Sequence, residues 1–137
     1  DIFRRDRIHS LKNAYFTGQK KVDELPAYIA AYDVCINPQM VNKITNGNYP
    51  LKIDEYLAMG KPTVATSTHT MRNIFTGHTH LAINPEEWLA AIDRAVTEAD
   101  DKELAKQRIA FAETHSWGHS VKKIYEIIDS FLKKKTT

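Results

Sequence analysis

The chain has 137 residues, 42% of them apolar, and a formal net charge of only +2. That is enough apolar material for one domain with a real core over residues 1–137, and a nearly balanced charge argues against a nucleic-acid binder. One cysteine, Cys35, excludes a disulfide within the chain and suits a reducing, cytoplasmic setting, while no apolar run approaches the roughly 20 residues that span a membrane.

Residues 1–13 are charged with a few apolar positions and read as the end of a helix. The chain opens on Asp1, so a longer protein is expected. Ala14-Tyr-Phe-Thr-Gly18 reads as a short strand ended by glycine, followed by a polar loop through Glu24. Leu25 to Tyr32 reads as a helix with Pro26 in its first turn and Leu25, Tyr28, Ile29 and Tyr32 on one side. Asp33 to Pro38 is a second strand, whose apolar centre Val34-Cys-Ile36 suits a parallel sheet covered on both faces. There Cys35 is expected to be a buried, inert thiol.

Gln39 to Tyr49 is a polar loop, and the stretch after it is the most informative in the chain. Asn46, Gly47 and Asn48 form turns. Pro50 suits the first helical position, Leu51 to Met59 a short helix, Gly60 the left-handed position that closes it, and Pro62 blocks continuation. Thr63-Val-Ala-Thr66 is a third strand, Met71 to Phe75 a short helix, and Leu81 to Asn84 a fourth strand. Pro85 opens an amphipathic helix carrying Trp88, Leu89, Ile92, Ala95 and Val96. Lys102 to Thr114 is another helix. Ser116 is a candidate N-cap for a last one, striped by Val121, Ile124, Tyr125, Ile128, Phe131 and Leu132.

Strand–helix alternation predicts an α/β fold, a Rossmann-like parallel sheet of about four strands with flanking helices. Loops that follow the strands should share one rim with the tip of the Pro50 helix. At that tip the amides of Leu51 and Lys52 lack partners within the helix and favour an anion. Glu55 stands about 7–8 Å further along the axis, at roughly 1.5 Å per residue. A phosphate at the tip and a hydroxyl-bearing group at Glu55 could belong to one ligand, and a nucleoside diphosphate has that shape. The plain alternative is a solvated Glu on a helix that binds nothing.

Other constellations are weaker. His115 and His119 have the spacing of a metal pair, but Ser116-Trp-Gly118 should break the helix between them and no third ligand is evident, so no metal is expected. His78 and His80 read as surface residues of a turn. Phosphate-loop, dinucleotide and nucleophile-elbow patterns are all missing from the sequence.

Three segments together carry a resemblance: Asn13 to Gly18, Leu25 to Pro38, and Pro50-Leu-Lys-Ile-Asp-Glu-Tyr-Leu-Ala-Met-Gly-Lys-Pro-Thr-Val-Ala-Thr66. With Ala112-Glu-Thr-His-Ser-Trp117 before a long final helix, they resemble the C-terminal domain of GT-B-fold glycosyltransferases of group 1, over roughly residues 11 to 132. The resemblance implies a retaining hexosyltransferase acting in a cleft between two Rossmann-like domains, of which this chain is part of the second, without its upstream strands or the acceptor domain. It implies a nucleotide-diphosphate sugar donor, no cofactor, no nucleic acid, and room for a peripheral membrane contact in the complete protein.

By the same resemblance, Glu55 matches the second glutamate of a paired-glutamate motif, which binds the ribose hydroxyls. Pro50, Leu51 and Lys52, with Asn48 just ahead, match the segment at the diphosphate. Gln19 and Lys20 match a segment near the base. The first glutamate would fall eight residues before Glu55, where this chain has Gly47, as some subfamilies with a Pro-Leu-Lys pattern also lack it. A non-catalytic nucleotide-binding or interaction module and a nucleotide-sugar epimerase of the same fold stay open as alternatives. Strands absent upstream should expose sheet edge and apolar helix face, which predicts self-association.

Overall fold

The computed structural model describes residues 7–135. Five α-helices and three strands follow in the order α1 (Leu25–Ala30), β1 (Cys35–Asn37), α2 (Leu51–Ala58), β2 (Thr63–Thr66), β3 (His80–Ala82), α3 (Pro85–Thr97), α4 (Lys102–Glu113) and α5 (Trp117–Lys135). The strands form one parallel sheet in the order β1-β2-β3. In register, Cys35 faces Thr63 and Val64 faces His80.

β2 is the centre of the molecule. All four of its residues are buried, as expected of a parallel strand covered on both faces. Its side chains alternate between two cores. Ala65 joins Ile53, Leu57, Met71, Phe75 and Ala112 beneath α2 and α4. Val64 joins Ala82, Ala91 and Ala95 beneath α3. Residues 71–75 between β2 and β3 take a π-helical turn that drives Met71 and Phe75 into the first core.

Helix ends follow local chemistry. The Asn84 side chain accepts from Glu87 N at 2.9 Å to start α3. Asp101 accepts from Glu103 N and Leu104 N at 2.9 and 3.0 Å to start α4. Ser116 Oγ accepts from His119 N at 3.2 Å at the head of α5, the cap expected from the sequence. α2 closes on Gly60, at φ +70°. There Gly60 N bonds to Leu57 O at 2.8 Å and Lys61 N to Tyr56 O at 3.0 Å, the paired bonds of a Schellman motif. A Cβ at residue 60 would stand 3.1 Å from Ala105 Cβ, so the glycine also lets α4 approach α2.

Three expectations are corrected. Ala14–Gly18 is not a strand, and the sheet has three strands rather than about four. Among the described residues no strand pairs with it, and Tyr15 and Phe16 are exposed; an extended segment becomes a strand only when a neighbour takes up its backbone groups. Of the helix end expected over residues 1–13, the described part includes one 3-10 turn, Arg7–Ser10, while residues 1–6 lie outside the described residues. Pro50 is the N-cap rather than the first helical residue, because its ψ of 90° is extended. Among the described residues, no helix is long and apolar enough to cross a membrane.

Candidate functional site

The loop between β1 and α2 is built by its own side chains. Asn42 Oδ1 accepts from Ile44 N at 2.9 Å and Thr45 N at 3.0 Å. Thr45 Oγ1 accepts from Asn42 N and donates to Met40 O. The loop is then tied to the ends of neighbouring strands. Gln39 N donates to Thr66 Oγ1 at 2.7 Å, and Asn46 Oδ1 accepts from His69 N at 2.8 Å. These bonds put the start of α2 on the rim formed where β1 and β2 end.

At that rim α2 has no side-chain cap. Proline has no side-chain acceptor to offer, and the first internal bond runs from Ile53 N to Pro50 O at 2.9 Å. Among the described residues, no group accepts from the amides of Leu51 and Lys52. Two donors and the positive end of the helix dipole therefore face outward.

Further along α2, Lys52, Glu55 and Tyr56 line a groove of about 790 Å³. Its opposite wall comes from α1 through Tyr28 and Ile29, its floor from the open edge of β1, and its end from Gly18, Gln19 and Lys20. Lys20 Nζ sits 5.0 Å from the Tyr28 ring centroid, a cation–π contact that draws the loop toward α1. Glu55 is exposed and forms no ion pair among the described residues. Burial, with Cys35, Glu55 and Tyr32 adding to it, raises the Tyr56 hydroxyl above the usual tyrosine range. Burial likewise pushes the Cys35 thiol up to about 11 against the pull of Lys61, so it stays protonated and unreactive near neutrality.

The structure thus brings four sequence-selected residues, Gln19, Lys20, Lys52 and Glu55, into one groove. Leu51 faces a separate hollow of about 440 Å³, beside Tyr49, Asp54 and His115. Pro50 is buried at the helix tip, and Asn48 follows a 3-10 turn, Thr45–Gly47. Nothing lies within 4 Å of where a Gly47 side chain would begin, so the position now held by glycine has space for a larger residue.

The sequence did not reveal the network on the other side of α2. His115 Nδ1 lies 2.8 Å from Asp54 Oδ1, and Tyr49 Oη donates to Asp54 Oδ2 at 2.6 Å. Burial, then the hydrogen bond and charge of Asp54, raise Tyr49 well above its ordinary range. His115 also meets Phe111 edge-on, at 4.6 Å between centroids, and Phe111 stacks on His78 at 3.9 Å. The helix break falls at residues 114–116, with His115 inside it, rather than over Ser116-Trp-Gly118; Trp117, Gly118 and His119 already belong to α5, and no group of three metal-ligating side chains occurs among the described residues.

Arg108 was also unforeseen. It is buried in α4, donating to Glu98 and, at 3.4 Å, to Gly60 O. Glu98 in turn meets His80 Nε2 at 3.0 Å.

Residues 3–98 match the family model described as glycosyl transferases group 1, which covers the rim, the groove and all of α2. The chain belongs to the group 1 glycosyl transferases. It is 29% identical over 110 residues to a Bacillus subtilis (strain 168) protein named as a teichuronic acid biosynthesis glycosyltransferase, TuaH. That alignment takes in 78% of this chain and 28% of the relative, so the chain spans little more than a quarter of that protein's length. No solved structure matches the chain significantly. Within this group 1 chain, α4 with Arg108, the turn that carries His115, and α5 all lie beyond the segment that the family model matches.

Proposed function

We propose that this chain is the donor-holding part of a glycosyltransferase that moves a sugar from a nucleoside diphosphate to an acceptor hydroxyl. The observation that carries this reading is the pairing on α2 of unpartnered amides at the tip with an unpaired carboxylate, Glu55, one turn further on and facing a groove. Membership of the group 1 family supports it. The diphosphate would sit at the amides of Leu51 and Lys52, near the Lys52 ammonium. Glu55 would accept the two ribose hydroxyl protons. The base would lie toward Gln19 and Lys20, against the Tyr28 side of the groove.

In the complete protein, the bond from the anomeric carbon to the diphosphate oxygen breaks, and its electron pair leaves with the diphosphate. The acceptor oxygen bonds to the anomeric carbon, and its proton passes to the departing diphosphate. Negative charge grows on the leaving diphosphate, and fixed amide dipoles with Lys52 stabilise that charge without reorganising. By itself the chain is expected to bind the nucleotide without turnover.

Calorimetric titration with UDP, GDP and ADP, and with their 2′-deoxy forms, tests this. Glu55→Ala should weaken the ribonucleotide about tenfold or more, since a hydrogen bond to a charged group contributes about 1.5–3 kcal/mol, and leave the deoxynucleotide much closer to its original affinity. An equal loss for both would remove the ribose role of Glu55.

A further inference from the structure

We propose that His115 is a positioning residue for the donor helix: by holding Asp54, it sets the rotation of α2 and thereby aims the tip amides and Glu55. The proposal rests on the donor-binding reading above. It concerns residues that touch no part of the proposed ligand.

Asp54 and Glu55 are adjacent on α2, so they lie about 100° apart around the axis at roughly 3.6 residues per turn. Fixing one therefore fixes the direction of the other. Both Asp54 oxygens are engaged on the side away from the groove, one by His115 and one by Tyr49. This also prevents the carboxylate from turning back onto the amides at its own helix tip, where it would compete with an incoming phosphate.

The imidazole is itself held firmly. It stands edge-on to Phe75 at 5.7 Å and 79° and to Phe111 at 4.6 Å and 79°. The side chains of Asp54 and His115 are only 19% and 23% exposed. Packing between α2 and α4 does not need this pair, since Ile53 and Leu57 are fully buried and Gly60 already meets Ala105. A polar pair kept beside an adequate apolar contact contributes direction more than adhesion. His115 also directly precedes Ser116, the cap of α5, so the head of α5 and the tip of α2 share one anchor.

Two variants separate hydrogen bonding from packing. His115→Phe keeps an aromatic ring against Phe75 and Phe111 but cannot bond Asp54. His115→Asn can place an amide donor where Nδ1 stands. Affinities for UDP, GDP and ADP, and for uridine, guanosine and adenosine, are measured by calorimetry, with amide hydrogen exchange at Glu55 and Tyr56 followed in parallel.

For the diphosphate that binds best, His115→Phe should weaken binding about tenfold, the scale of one hydrogen bond to a charged group, with little change for its nucleoside. It should also speed exchange at Glu55 and Tyr56, and His115→Asn should restore most of both. Equal loss for diphosphate and nucleoside, or wild-type affinity and exchange in His115→Phe, would overturn the proposal. Should the wild-type chain bind none of the three diphosphates, the donor reading fails. Exchange then decides whether His115 orients α2: faster exchange in the Phe variant, restored by Asn, supports that role, and unchanged exchange refutes it.

Discussion

At its C-terminal end α2 has its backbone closed: Gly60 and Lys61 bond back to Leu57 and Tyr56, Ala105 abuts the glycine, and Arg108 reaches the Gly60 carbonyl. At its N-terminal end, Leu51 and Lys52 have amides that no described group accepts from, although Tyr49, Asp54 and His115 brace the turn from one side. A helix is stabilised by satisfying its terminal groups. Closing one end and bracing the other sideways lets the protein keep free donors on a rigid element. The difference between the ends separates what holds α2 from what α2 presents.

The largest way to break that contrast is at the closed end. Arg108→Ala would leave the Glu98 carboxylate with His80 alone and open a cavity between α4 and the end of α2. Chemical denaturation should show a loss of about 3 kcal/mol, typical of removing one partner of a buried pair. Gly60→Ala should cost about 2 kcal/mol by the same measurement, because alanine resists a left-handed backbone and its methyl would press on Ala105. Glu55→Ala, at the open end, should change stability by less than about 0.5 kcal/mol while weakening ribonucleotides, since surface positions seldom matter more.

The smallest effect belongs to the aromatic brace. Burial first, then the charges of His115 and Arg108, lowers His78 below its ordinary value of 6.5. The folded chain therefore binds fewer protons at His78 than the unfolded chain does. Its contribution is fully present above pH 6.5 and fades as pH falls below that value. His78→Phe should keep the stack on Phe111 and flatten the stability profile over that acidic range; an unchanged slope in denaturation midpoints would place the titration elsewhere.

Much of this contrast was legible in the residues because it is local. Pro50, Gly60 and Pro62 bracket α2 by their backbone limits, Thr63–Thr66 reads as a buried strand, and Ser116 reads as a cap. Gln19, Lys20, Lys52 and Glu55 could be selected, but only the fold put them around one groove. What stayed hidden depends on partners distant in the chain. Ala14–Gly18 has the composition of a strand, yet strand formation requires a neighbour that the described residues do not supply. Arg108 looks like one more exposed charge until Glu98 and the Gly60 carbonyl meet it. The meeting of Asp54 with His115 spans 61 positions and leaves no periodic trace in either segment.

The 3.1 Å gap between the missing methyl of Gly60 and Ala105 Cβ has an evolutionary corollary. Residue 60 is held to glycine by its left-handed backbone, and residue 105 packs directly on it, so across homologues residue 105 should stay small wherever that glycine ends the helix. A chimera that borrows α4 from a cousin must import the matching helix stop as well, or the graft will pry the two rods apart.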